Sequence, residues 1–539
     1  QANAIQQQYY SKNNNDNDNN NIDDCEKSLS IVDKAGWWSN PTKSYQRADI
    51  LMKIADILGN NIDRLADLEV HQIGRPRKEM RFQLSRLPEW FVYYASLLRV
   101  GGCGGSEDTN PPGFGGDHIN IVKRVPLGVV AQITPFNHPL LIAVKKLAPA
   151  LAAGNCCILK PSEQAPASII ELALLCIDAG VPEGVITVIL GGRTVGEMLV
   201  RDSRIRKVDF TGGPKAGYDI GAVAGRNVCQ MTQELGGKAP MIVFAPKELL
   251  QQKRQQKRLR KSEMSSDIID IDEYLDPIIN GCAFGAFIAS GQTCIAGTRL
   301  LVQRDIYSLV CEKMTKKIKS FQMGDPFDMN TTFGPLINTK QMDFVHSTVT
   351  SCVGGDENNY NLKLLCGGKR YQRFTGNEKY LNEGNWYEPT LVAYSIDDDD
   401  AKITSHDDRK KNITDVHHNC ALFQTEIFGP VLGIIPFEDE DHAIQLANDS
   451  PYSLGCSIWT HDLVQAHTVS DRVRAGIIWI NDHHKNSPAS PWGGLTKESG
   501  VGRENGREAL MEYSQSKSVV IRTKRFDSDW FKDPNARYN

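Results

Sequence analysis

Three short segments hold side chains able to do nucleophilic and acid–base chemistry. Cys294 stands in Gly291-Gln292-Thr293-Cys294, after an apolar, Gly/Ala-rich stretch over 281–290 that reads as a buried helix and before a strand-like run over 298–303. A reactive sulfur needs room for substrate and backbone N–H groups close by, which flanking Gly and small polar residues allow. The competing reading is a small core hydrophobe, since the chain has thirteen cysteines. Glu234, in Glu234-Leu235-Gly236-Gly237-Lys238, sits where a strand leaves a sheet. That place suits a general base, or a carboxylate that merely solvates a turn. Asn137, in Thr134-Pro135-Phe136-Asn137, sets an uncharged amide donor between a strand end and a helix start. Such an amide can hold an oxyanion or cap a helix.

The elements that must position these residues can be read from periodicity. Between 127 and 244, short β-rich runs alternate with helical ones: strands over 129–133, 156–159, 185–190, 207–210 and 229–232, helices starting near His138, Pro166, Thr194 and Pro214. This alternation predicts right-handed crossovers and a parallel, doubly wound sheet. Such sheets bind ligands at the carboxyl ends of their strands, which directs attention to the turns 134–137, 160–163 and 211–217. Upstream, Ile50, Leu51, Ile54, Ile57, Leu58, Ile62 and Leu65 recur at helical spacing, predicting one docked amphipathic helix or a pair. The stretch 101–116 reads as a Gly/Pro-rich connection, and residues 1–24, dominated by Gln and Asn, as a disordered tail. A Gln/Lys/Arg run over 251–261 reads as a solvated helical insertion, and 397–419, which opens on four aspartates, as a surface loop.

Composition narrows the class. The chain has 539 residues, 40% hydrophobic and 23% charged, with a net charge of −4. That describes an ordinary globular protein with room for several large cores and no overall basic footprint for nucleic acid. The longest apolar run, over 140–154, is interrupted by Lys145, Lys146 and Pro149, so no membrane span is expected. Thirteen cysteines without a CxxC pair suggest free thiols and a reducing, cytoplasmic compartment. Because the chain starts without Met, a removed leader and a mitochondrial location stay open.

Taken together, TPFNHP (134–139), KPSE (160–163), FTGG (210–213), ELGGK (234–238), GQTC (291–294), EIFGPV (426–431) and SPWGG (490–494) resemble the aldehyde dehydrogenase superfamily, in the family's order and across about 33–521. The resemblance implies an α/β fold of two doubly wound parallel-sheet domains with a small β oligomerisation element. Their expected limits are 25–109 plus 127–236 for the cofactor domain, 237–495 for the catalytic domain with insertions at about 251–270 and 397–419, and 110–126 plus 507–523 for the oligomerisation element. It implies NAD-dependent oxidation of an aldehyde to a carboxylic acid: Cys294 as nucleophile, Asn137 and the Cys294 N–H as oxyanion donors, and Glu234 as the base that activates water against the thioester. The presence of Glu234 argues for the non-acylating branch, in which water rather than coenzyme A receives the acyl group.

The cofactor contacts implied are Ile133, Thr134, Pro135, Phe136, Asn137, Lys160, Ser162, Glu163, Phe210, Thr211, Gly212, Gly213, Gly217, Glu234, Leu235, Gly236, Glu426 and Phe428. Lys160 matches the family's ribose ligand, and the charge of Glu163 beside it favours NAD over NADP. Gly213 stands where many relatives have Ser, which leaves phosphate recognition there to backbone N–H groups. The substrate tunnel implied is lined by His138, Leu141, Lys145, Thr293, Ile295, His484, Asn486 and Trp492. Lys145, placed with Asn137 and Leu141 on one helix face, replaces a frequent aromatic and points to a polar, anionic or aromatic aldehyde rather than a long alkyl one; the alternative is that it caps a solvated mouth. His483 and His484 lack further ligands at metal-binding spacing, so no metal is expected. A homodimer or homotetramer is expected, with no nucleic-acid or membrane partner. The rival readings are a catalytically silent scaffold, a cofactor-free cysteine hydrolase and a nucleic-acid binder using 253–261.

Overall fold

The computed structural model describes residues 36–101, 107–108, 117–250, 271–353, 360–396, 405–525 and 531–532. The polar tail over 1–24 and the insertion at 251–270 lie outside the described residues.

Two parallel sheets organise the molecule. The first runs Gly500–Val501, Gln230–Glu234, Ile205–Thr211, Val129–Ile133, Cys156–Lys160, Ile186–Val188. Its pairings are parallel except the first, where Gly500 and Val501 lie antiparallel to Glu234 and Gln233. The sheet forms because its central strands are largely apolar runs buried on both faces, Cys156–Lys160 along its whole length. The helices Pro139–Ala152 and Ala167–Asp178 carry the chain outward from Val129–Ile133 in one direction, and Pro214–Arg226 carries it in the other from Ile205–Thr211. Strand order therefore reverses between Val129–Ile133 and Ile205–Thr211, and a crevice opens beyond their carboxyl ends. Residues 134–138 and 212–213 line that crevice.

The second sheet runs Leu362–Cys366, Thr390–Tyr394, Val431–Phe437, Arg299–Gln303, Pro240–Val243, Gly455–Trp459, Ile477–Ile480. It is parallel apart from its edge strand Leu362–Cys366, which pairs antiparallel with Thr390–Tyr394. Each sheet thus carries one antiparallel edge that strand–helix alternation did not announce. A third, small antiparallel sheet joins Glu107–Asp108, His118–Pro126 and Ser514–Arg522.

The paired-helix alternative holds upstream: Ser44–Asn60 and Ile62–Ile73 are separate helices, the second closed by left-handed Gly74. The surface-loop expectation for 397–419 needs correction at its later part, because His406–Asn419 is a helix, while 397–404 lie outside the described residues. Ser405 caps it by accepting from the Asp408 N–H, Asp407 and Asp408 fill its first turn, His417 and His418 its last, and Ile413 and His417 are buried. Capping chemistry and two inward residues outweigh a composition that is polar overall. Asn137 also departs from expectation. The helix begins at Pro139 with His138 at its N-cap, so Asn137 lies before the helix rather than on a face with Leu141 and Lys145. Proline, with its fixed φ and no N–H, is suited to the first helical position and sets that boundary.

Candidate active site

Cys294 is delivered by the helix Ile271–Phe287, after which Ala289 (φ 55°), Ser290 (φ 55°) and Gly291 (φ 72°) are all left-handed. Two of these are not glycine, so the backbone is strained beside the sulfur. At Gly291 a side chain is impossible for a second reason, since a Cβ would collide with the Gly429 carbonyl. Gly237 of the ELGGK segment is equally constrained: its Cβ would overlap the Cys294 carbonyl oxygen. These close approaches lock GQTC, ELGGK and EIFGPV together. Thr293 and Ile295 are buried, whereas Cys294 is partly exposed.

The Asn137 amide donates to the Gln292 carbonyl at 2.8 Å, two residues before the sulfur. This arrangement is buttressed by residues that motif reading missed. Arg75 donates to the Asn137 carbonyl at 3.2 Å and to His138 Nδ1 at 2.7 Å, and it is ion-paired with Glu79. Glu79 in turn accepts from the Ala289 N–H at 3.2 Å. One buried pair therefore ties the oxyanion side of the site to the strained turn before Cys294. The available signal was a Gly74-Arg75-Pro76 break between helices, with Glu79 one helical turn past Arg75.

Glu234 is 2% exposed, and among the described residues neither of its carboxylate oxygens has a hydrogen-bond partner. Burial, reinforced by the Glu504 carboxylate, holds its pKa well above the usual carboxylate range and so makes it a weaker acid, against the pull of Lys145 and Lys146. Glu504 behaves oppositely. Although burial opposes ionisation, Lys145 at 2.5 Å and Lys146 at 2.7 Å bring it down to about 2. Lys146 also pairs with Asp209, which accepts from the Tyr513 hydroxyl. The Cys294 thiol is pushed up to about 12, first by burial and then by the carboxylates of Glu426 and Glu234. Glu426 is raised to about 7 by burial while accepting from the Gly237 N–H at 3.0 Å.

A cavity of about 340 Å³ reaches the sulfur. Cys294 and Glu234 line it, together with all eight expected tunnel residues: His138, Leu141, Lys145, Thr293, Ile295, His484, Asn486 and Trp492. Arg75, Trp90, Phe284 and Glu504 line it too and were not anticipated. Asn137 is not on its wall but behind it, through Gln292. The solvated-mouth reading of Lys145 is overturned. Its ammonium is buried, bonded to Glu504 and 4.5 Å above the Trp492 ring, because Glu504 arrives from a distant segment to neutralise it.

The expected dinucleotide contacts surround the carboxyl ends of the first sheet. The Thr134 N–H donates to the Lys160 carbonyl at 3.1 Å, and Ile133 pairs in register with both Lys160 and Phe210. Thr211 closes its strand opposite Glu234, and Gly212, Gly213 and Pro214 lead into the helix Pro214–Arg226. A Cβ on Gly213 would meet nothing within 4 Å, so the N-terminus of that thirteen-residue helix faces open space. Around Lys160 the wall is made of glycine. A Cβ on Gly196 would lie 3.5 Å from Lys160 Cε, and one on Gly192 3.0 Å from Glu163 Oε1. Gly217 packs on Leu235, Gly236 on Glu426, and Phe136 meets Phe428 edge-on at 5.9 Å. Phe428, like Ala289 and Ser290, is left-handed. Pro135 precedes Phe136 in the connecting turn, and Ser162 accepts from the Gln164 N–H. A Lys and a Glu beside bare backbone, a helix N-terminus open to an anion, and two aromatic rings next to the nucleophile's loop fit the ribose, pyrophosphate and flat ring of a dinucleotide.

A model of the aldehyde dehydrogenase family matches residues 19–255, 264–404 and 412–519. The betaine aldehyde dehydrogenase of Bacillus subtilis is 34% identical over 513 residues, 94% of this chain and 92% of its own. A (Z)-2-((N-methylformamido)methylene)-5-hydroxybutyrolactone dehydrogenase of Acinetobacter baylyi is 33% identical, over 93% of this chain and 90% of its own. Among solved structures, an NAD-dependent aldehyde dehydrogenase from Sinorhizobium meliloti superposes with a TM-score of 0.79 at 32% identity, covering 95% of this chain and 89% of that one. With the family model matched across most of its length and relatives above 30% identity over more than nine-tenths of it, the chain belongs to the aldehyde dehydrogenase family.

Proposed function

We infer that this protein oxidises an aldehyde to a carboxylic acid with NAD, through a covalent adduct on Cys294. What carries this reading is one cavity lined by both a partly exposed Cys294 and a buried, unpartnered Glu234. In the proposed sequence, the sulfur gives its proton to solvent water and attacks the carbonyl carbon as the thiolate. The anionic oxygen so formed takes the Cys294 N–H and an N–H of the Asn137 amide, which turns from the Gln292 carbonyl toward the cavity to reach it. Acceptance of hydride from that adduct is the chemistry a bound nicotinamide dinucleotide supplies, with Lys160, Glu163, Glu426 and Phe428 as its holders. Glu234 then draws a proton from water as the oxygen adds to the thioester, releasing the acid and restoring the thiol. A solved betaine aldehyde dehydrogenase of Staphylococcus aureus in complex with NAD+ is 30% identical with a TM-score of 0.79, which supports NAD as the cofactor. All eleven described cysteines are free thiols, which supports the expected reducing, cytoplasmic compartment.

The test is NADH formation with purified protein and Glu234→Gln. Wild type should turn over continuously, and Glu234→Gln should give a single burst of NADH followed by a steady rate lower by about 100-fold or more. Equal steady rates would remove Glu234 from deacylation.

A further inference from the structure

The cavity leading to Cys294 is more particular than its family membership requires. His138 Nδ1 receives Arg75 at 2.7 Å and Gln83 Nε2 at 3.0 Å. A guanidinium can only donate, so Nδ1 accepts and the ring proton sits on Nε2. No described residue accepts from that Nε2–H, and His138 lines the cavity. His484 is held the other way round. Its Nε2 donates to the Gly285 carbonyl at 3.2 Å, which leaves the Nδ1 lone pair as the ring's remaining polar atom in the same cavity. Burial keeps both rings neutral. Two neutral imidazoles thus offer one donor and one acceptor, the complement of a hydroxyl group.

Charge adds a second constraint. The buried cations of the cavity are spent, Arg75 on Glu79 and Lys145 on Glu504, while Lys485 is on the exposed rim. An anionic substrate group would lose its water without gaining a free counter-charge. The aromatic rings of Trp90, Phe284 and Trp492 line the rest, suited to a flat apolar body.

We propose that His138 is a specificity-determining residue, and that with His484 it selects an aromatic aldehyde bearing an uncharged hydroxyl group away from the carbonyl. This rests on the aldehyde-oxidation reading above. The experiment measures kcat/KM with NAD for benzaldehyde, 3- and 4-hydroxybenzaldehyde, 4-carboxybenzaldehyde and hexanal, in wild type, His138→Phe and His138→Gln. One neutral hydrogen bond corresponds to roughly tenfold, so one hydroxybenzaldehyde should exceed benzaldehyde by about that factor in wild type. The ratio should fall to about one in His138→Phe and recover in His138→Gln, which retains an N–H donor. A ratio unchanged by His138→Phe, or 4-carboxybenzaldehyde or hexanal leading the panel, would overturn the proposal. The wild-type ratio is read without any variant, so a variant that does not fold leaves the test standing. Turnover of benzaldehyde without hydroxyl preference sinks this inference alone; no NADH from any aldehyde sinks the oxidation reading with it.

Discussion

With its thiol pushed up to about 12, Cys294 is almost wholly protonated at neutral pH, and the cause is its surroundings: burial first, then two carboxylates. Below its pKa a thiol gains thiolate tenfold per pH unit. Peptide-resolved alkylation of the cofactor-free protein by iodoacetamide should therefore accelerate at Cys294 by about tenfold per unit from pH 7 to 9; a plateau near pH 8 would contradict it. Glu234, held above the usual carboxylate range, has to lose its proton before it can take one from water, so deacylation should likewise speed up with rising pH. At this scale the proposed nucleophile and base were legible because each sits in a local motif. Glu504 was not. It matters because it meets Lys145 across 359 residues of sequence, and periodicity carries no information about such a meeting.

Among the elements, the tightest constraint is the contact between two loops. Gly237 lies so close to the Cys294 carbonyl that a methyl group would displace the turn carrying the sulfur. Gly237→Ala should lower kcat/KM by about 100-fold or more, the usual penalty of a displacement near 1 Å, while circular dichroism retains the native spectrum. Unchanged kcat/KM would show that the turn can shift without consequence. The five parallel strands of the first sheet and the helices between them were legible to within a few residues from their alternation, whereas the edge strand Gly500–Val501 was not. The helix His406–Asn419 was missed because its signal is a capping pattern rather than an apolar stripe, with only Ile413 and His417 turned inward. Asn137 was assigned to the face of a helix that begins two residues after it, an error that still left its amide beside the nucleophile's loop.

For the whole molecule, the strand Ser514–Arg522 pairs with His118–Pro126 through nine residues in register, and Ile119, Val520 and Ile521 remain exposed on it. Among the described residues Ser514–Arg522 is an open sheet edge with apolar side chains exposed on both faces, and such an edge calls for a partner. Light scattering should return two or four times the chain mass at micromolar concentration; the mass of one chain would contradict the expected oligomer. The first sheet is tied to this element from within: Tyr513 donates to Asp209 and accepts from Gln132 at 3.0 Å, just before the strand begins. Side-chain identity and short-range periodicity were enough to read the family, the candidate nucleophile, the candidate base and the order of the elements. The folded chain alone decided the protonation of Cys294 and Glu234, the neutralisation of Lys145 and the donor left on His138. Each of these depends on which distant group ends up within a few ångströms in a place from which water is excluded.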